Sequence, residues 1–213
     1  MATAVGKKFP DLNVDAMNEM GDTFKVNVLE EAVNNKKKVL LFWYPKDFTF
    51  VCPTELHAFQ AALGEFEKRN TIVIGASCDT PEVHFAWLNT PKDNGGIEGV
   101  TYPILADSNR NLSSILGILD ITNETYDEVT GTVQVEGDNV TYRATYLIDE
   151  DGLVQHESIN NMPLGRNVNE YLRLIDALTH VQEKGEVCPA NWEEGKDAMA
   201  PNAKGTAAYL ASH

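Results

Sequence analysis

Basic residues are scarce in this chain: 17 Lys and Arg stand against 32 Asp and Glu, a formal net charge of -15. So acidic a surface opposes tight binding to phosphate backbones, which needs clustered Lys and Arg, and nucleic acid is not an expected partner. The one basic cluster, Lys36-Lys37-Lys38, reads as a solvated turn before a strand. Cysteines number only three. That odd count argues against a framework of structural disulfides and for redox or metal chemistry in a reducing compartment. No stretch approaches the roughly 18 apolar residues of a membrane span, and the first fourteen residues hold no apolar signal segment. The expectation is a soluble, cytoplasmic protein without a membrane partner. His57, His84, His156, His180 and His213 show no metal-ligand spacing, so surface or core roles are expected for them. Gly95-Gly-Ile-Glu-Gly99 lacks the form of a phosphate loop. Cys-x-x-Cys is absent too: Cys52-Pro-Thr-Glu55 has glutamate where a dithiol exchanger has its second cysteine.

What is present suits one globular domain with an appended arm, 213 residues with enough apolar content for a sizeable core. Residues 23–28 and 39–44 read as strands with a short helix between them, and 53–69 as a helix. Thr71–Ser77 is a β-rich apolar run, followed by a Pro81-led helix through Trp87 and a turn-rich loop over 89–100. Tyr102–Ala106 reads as a strand, Asn109–Leu116 as a helix, and 142–149 with 153–158 as a hairpin. Val168, Tyr171, Leu172, Ile175 and Leu178 mark a long amphipathic helix. The pattern predicts an α/β protein, a central mixed sheet flanked by helices, over residues 1–184. Periodicity then fades, and 185–213 reads as an extended C-terminal arm ending in a short helix near 206–211.

The most informative segment is Pro45-Lys-Asp-Phe-Thr49-Phe-Val-Cys52-Pro-Thr-Glu55. It joins the apolar run Val39–Tyr44 to a helix whose Leu56, Phe59, Leu63 and Phe66 recur at helical spacing. Pro53 fits a first helical turn, so Cys52 falls where unpaired N–H groups and the helix dipole favour an anion. A thiolate, the nucleophilic form, is expected there, although a free cysteine is more often a buried structural residue. Ionisation alone cannot supply catalysis. An ordinary cysteine is a few per cent thiolate near pH 7, so full ionisation gains about thirtyfold against the roughly millionfold typical of enzymes. Donors aimed at the reacting atoms are required. Thr49, three residues before Cys52, is a candidate donor or a helix cap. Arg143 is a candidate donor or a solvated strand-edge residue. Glu55 suits a helix N-terminus by charge. Cys188 lies in a segment without core periodicity, and Cys78 ends an apolar strand, where a structural role is expected.

The spacing Pro45-x-x-x-Thr49-x-x-Cys52 resembles the signature of the peroxiredoxins, and the flanking residues are similar to the typical two-cysteine subgroup that includes the bacterial alkyl hydroperoxide reductase C subunit. Glu186-Val-Cys188-Pro-Ala-Asn-Trp192 resembles the subgroup's resolving-cysteine motif. The resemblance implies a thioredoxin-like fold. It implies a peroxidase of hydrogen peroxide and organic hydroperoxides without metal, haem or other cofactor, in which Cys52 attacks and Cys188 of a partner subunit resolves the sulfenic acid. Thr49 and Arg143 would act on the peroxide, Pro45 would close the pocket, Glu55 would orient an arginine, and Arg166 would join that network. It further implies a homodimer, a ring of five dimers, and thioredoxin or the alkyl hydroperoxide reductase flavoprotein as reductant. Gly95–Gly99 and Tyr209-Leu210 resemble, imperfectly, the two motifs of over-oxidation-sensitive members. The alternative functions are a holdase chaperone and a peroxide-signalling relay.

Overall fold

The computed structural model describes residues 3–213, and the chain divides into two compact units, one ending at Arg166 and one of Asn167–His213. The first unit is organised by its most apolar strand. In β3 (Lys38–Trp43) every residue is buried. Such a strand needs cover on both faces and neighbours on both edges. β4 (Thr71–Ser77) pairs with it in parallel, and β8 (Arg143–Ile148) pairs antiparallel on the other side. β1 (Asn13–Met17), β2 (Thr23–Asn27), β5 (Ile104–Ala106) and β9 (Val154–Asn160) complete a mixed seven-stranded sheet ordered β2-β1-β5-β4-β3-β8-β9. Helices flank it: α1 (Val28–Asn35), α2 (Cys52–Ala61), α3 (Leu63–Lys68), α4 (Pro81–Leu88) and α5 (Asn111–Leu116).

Alternation along β3 sends Val39, Leu41 and Trp43 into one core with Ile74, Tyr146 and Ile148. On the other face Phe42 stacks on Phe59 of α2, with ring centroids 4.1 Å apart. Such pairs contribute about 0.5–1.5 kcal/mol beyond area burial, and this one fixes α2 against the strand that precedes it. The buried residues of α2 are Cys52, Leu56 and Phe59, and with them Glu55. That i, i+3, i+4, i+7 set is one helix face.

Several sequence expectations are revised. The helix expected over 53–69 starts at Cys52 and breaks at Ala62 (φ -95, ψ 2), a change of direction that still buries Phe66 beside Phe59. β1 is a strand that its polar Asn13 and Asp15 conceal. β6 (Asn123–Asp127) and β7 (Thr132–Glu136) form a separate two-stranded hairpin, exposed over nearly its whole length, so neither strand has a buried face. Lys38 is not part of a solvated turn: it opens β3, 4% exposed, with its Nζ 2.7 Å from Glu150 Oε1. A Cβ on Gly96 would lie 1.9 Å from Thr90 O, so close backbone approach explains that glycine.

In the second unit, α6 (Val168–Lys184) opens on Asn167, whose side chain accepts from Asn169 N, and ends on left-handed Gly185. The chain beyond folds back on α6 rather than running free. Trp192 is buried, its carbonyl accepts from Arg173 Nη1 at 3.3 Å, and its ring lies 5.0 Å from that of His180. One buried indole thus anchors a segment that has no periodicity. Val187 and Met199 bridge, and α7 (Ala203–Ser212) closes the chain, starting three residues before the expected 206.

Candidate active site

The loop from β3 to α2 carries the first group of candidate residues. Pro45 is buried at its head, next to the end of β3. Phe48 takes the left-handed region (φ 53), which costs a residue with a Cβ about 1 kcal/mol. Thr49 does not cap α2: the N-cap is Val51 and no side chain bonds there. The Thr49 hydroxyl instead sits 2.9 Å from Cys52 Sγ and 2.9 Å from the Lys46 carbonyl oxygen. A hydroxyl carries one proton, so when that proton is given to Lys46 O the oxygen accepts from the thiol, and when given to sulfur the carbonyl is released.

Cys52 is fully buried at the start of α2. Arg143, at the start of β8, is buried too, and its Nη1 lies 3.4 Å from Cys52 Sγ. Strand register brings it there: β8 lies beside β3, whose C-terminal end feeds the loop. Glu55 is on the buried face of α2, one turn from Cys52, and is 3% exposed. A carboxylate so placed needs partners. Its Oε2 accepts from Arg143 Nη1 (2.6 Å) and Arg166 Nη2 (2.9 Å), and its Oε1 accepts from Arg166 Nε (2.9 Å) and backbone N (3.0 Å). Arg166 also donates to Ala144 O and Thr145 Oγ1 and lies over the Phe42 and Phe59 rings, 5.1 and 5.9 Å from their centroids. Arg143 Nε donates to Met162 O.

Thr49, Cys52, Glu55, Arg143 and Arg166 therefore converge. Two guanidiniums face one carboxylate, which leaves net positive charge beside the sulfur, held in fixed directions by backbone acceptors. That arrangement suits a negative charge at the sulfur or on an atom bonded to it. The carbonyls of Lys46, Met162 and Ala144 were invisible in the sequence, since any residue supplies them. Glu55's partners had a readable signal: a glutamate at i+3 on the apolar face of a helix.

Cys52, Cys78 and Cys188 are all free thiols. Cys188 is half-buried in the second unit, with Sγ 3.7 Å from Ala177 O. Burial raises its thiol pKa, an effect that Arg173 partly offsets. Cys78 stands apart from the cluster, 3.7 Å from Ser113 Oγ, and burial pushes its thiol up to about 11. Among the described residues no group of three or more His, Cys, Asp or Glu is placed to hold a metal ion, and no helix is long and apolar enough to cross a membrane.

The model of the AhpC/TSA family matches residues 5–157, and that of the C-terminal domain of 1-Cys peroxiredoxin matches residues 177–211. The chain is 40% identical over 209 residues to alkyl hydroperoxide reductase C of Helicobacter pylori, covering 97% of this chain and 96% of that one. It is 38% identical over 208 residues to the chloroplastic 2-Cys peroxiredoxin of Hordeum vulgare, 98% and 90% covered. Among solved structures, the reduced 2-Cys peroxiredoxin of Plasmodium vivax superposes with a TM-score of 0.87 at 40% identity, covering 99% and 100% of the two chains.

Proposed function

This chain belongs to the AhpC/TSA family of peroxiredoxins and is a thiol-dependent peroxidase; we propose that it turns over through Cys52 and Cys188. The observation that carries the assignment of roles is the placement of Thr49 Oγ1 and Arg143 Nη1, 2.9 and 3.4 Å from Cys52 Sγ. Cys52 attacks one peroxide oxygen, forming an S–O bond as the O–O bond breaks. The sulfur becomes a sulfenic acid, and the other oxygen leaves as water or an alcohol once protonated. Thr49 accepts from the peroxide hydroxyl and donates to the departing oxygen. Arg143 stabilises the charge that grows on that oxygen, and Glu55 with Arg166 holds Arg143 in aim. Pro45 keeps water from the buried sulfur.

Cys188 of a partner subunit then condenses with the sulfenic acid, releasing water and forming a Cys52–Cys188 disulfide. A disulfide needs Cα atoms within about 7 Å, and Cys52 is fixed in the first turn of α2, so that turn unwinds in each cycle. A dithiol protein, thioredoxin or the flavoprotein of alkyl hydroperoxide reductase, restores both thiols. The likeness to 2-Cys peroxiredoxins supports a homodimer and a ring of five dimers as the assembly in which Cys188 of one chain reaches Cys52 of another. A thiol cycle fed by a dithiol reductant suits a reducing compartment such as the cytoplasm.

Single-turnover kinetics test the division of labour. Cys52→Ser should consume no peroxide, and Cys188→Ser should consume one equivalent. A Cys52→Ser protein working at the wild-type rate would remove the proposal.

A further inference from the structure

Behind the loop lies a buried polar network for which the peroxide chemistry above has no use. Asp47 and His84 are 2% and 0% exposed. Tyr44 Oη donates to Asp47 Oδ1 at 2.7 Å, and His84 Nδ1 lies 2.8 Å from Asp47 Oδ2. The backbone N–H of Asp47 donates to Asp79 Oδ2 at 2.9 Å, and the Ser77 hydroxyl donates to the same oxygen at 2.8 Å. His84 Nε2 faces the Leu105 carbonyl oxygen at 3.1 Å. A carbonyl only accepts, so Nε2 carries a proton, and one further proton is shared between Nδ1 and Oδ2. The side-chain polar atoms of Tyr44, Asp47 and His84 are thereby all partnered, and the cluster draws on the ends of β3 and β4, on α4 and on β5.

We propose that Asp47, clamped by Tyr44 and His84, is a positioning residue that sets Thr49 against Cys52 and the bound peroxide. The inference rests on the role of Thr49 proposed above. Among the described residues, Asp47 carries the hydrogen bonds that tie Pro45–Phe50 to the sheet and α4. Thr49 follows two residues later, and its own bonds reach only Lys46 O and Cys52. Phe48 between them is held left-handed, a conformation that persists only when both sides are fixed. The Asp47 network fixes one side, and α2 fixes the other. A donor on a loop becomes accurate only when rigid elements hold the loop.

The experiment compares the rate of Cys52 with hydrogen peroxide and, separately, with iodoacetamide. The variants are Thr49→Val, Asp47→Ala, Asp47→Asn, Tyr44→Phe and the double variant Asp47→Ala/Thr49→Val. Misplacement by about 1 Å costs up to about a hundredfold, so Asp47→Ala should slow the peroxide reaction about tenfold to a hundredfold, with alkylation within about threefold of wild type. Asparagine can accept from Tyr44 and donate to His84 Nδ1, so Asp47→Asn should recover to within about threefold of wild type. The double variant should be no slower than the slower single variant, because both changes remove one donor. A wild-type peroxide rate in Asp47→Ala, additive losses in the double variant, or an Asp47→Asn as slow as Asp47→Ala would overturn the proposal. If Asp47→Ala does not fold, Tyr44→Phe decides: slower with peroxide alone supports positioning, and unchanged rates refute it. A Thr49→Val variant at the wild-type rate would instead sink the role of Thr49 itself.

Discussion

Arg143 Nη1 stands 2.6 Å from Glu55 Oε2, and the same nitrogen lies 3.4 Å from Cys52 Sγ. One buried ion pair therefore aims a permanent positive charge at the thiol. The geometry works because Glu55 and Cys52 share a helix face, while Arg143 arrives on the strand beside β3. Neither residue alone has that direction: a guanidinium on a flexible stem needs fixed acceptors, here Glu55 Oε2 and Met162 O, before it points at the sulfur.

The first prediction removes that acceptor. Glu55→Ala leaves two buried guanidiniums without their carboxylate and should destabilise the protein by about 3–5 kcal/mol. Glu55→Gln, which keeps an acceptor oxygen, should cost less. Urea midpoints for the two variants check the order, and a Glu55→Ala midpoint equal to wild type would show that the pair contributes nothing net.

The second concerns Arg143. Arg143→Met should slow reaction with peroxide by about a hundredfold or more, the usual effect of losing a donor to a developing charge. Alkylation by iodoacetamide has no O–O bond to stabilise and should fall much less. Competition kinetics with both reagents measure the ratio, and equal losses would confine Arg143 to tuning the sulfur.

Cys78 gives a pH prediction. Burial pushes its thiol to about 11. In the unfolded chain a cysteine ionises near 8.5. Between those values the native state holds the proton that the unfolded state has released, so this group's contribution to stability falls as pH rises from about 9 to 11. Replacing Cys78 by alanine should flatten that part of the stability curve, measured by denaturant titration at each pH. At pH 8 Cys78 should also resist iodoacetamide until urea is added. Rapid labelling in the native state would contradict its placement.

Oxidised protein should run as a disulfide-linked dimer on non-reducing gels, with peptide mapping joining Cys52 to Cys188. A bridge through Cys78, or one closed within a single chain, would refute the proposed resolution step.

Much of the fold was readable because its elements carry one-dimensional signals. The apolar run of β3, the period of α2 and α6, and the turn between β8 and β9 follow from local burial. β1 and the β6–β7 hairpin were not readable: one mixes polar residues into a paired strand, and the other has no buried face. Helix α2 could not be bounded at Ala62, since Leu63 and Phe66 continue its apolar period and only Gly64, a poor helix former, marks the break locally.

The sequence by itself determined that a cysteine stands at a helix start three residues after a threonine, because both facts are matters of spacing. It also determined the separation of Cys52 from Cys188 into differently patterned regions. Only the tertiary structure decided what faces Cys52. Arg143 and Glu55 are 88 positions apart, and Asp47 and His84 are 37 apart. No local period relates such residues; the registers of β3 with β8 and of β3 with β4 bring them together. Burial then fixes what those side chains must do, because a charge or ring nitrogen removed from water has to find its partner inside the protein.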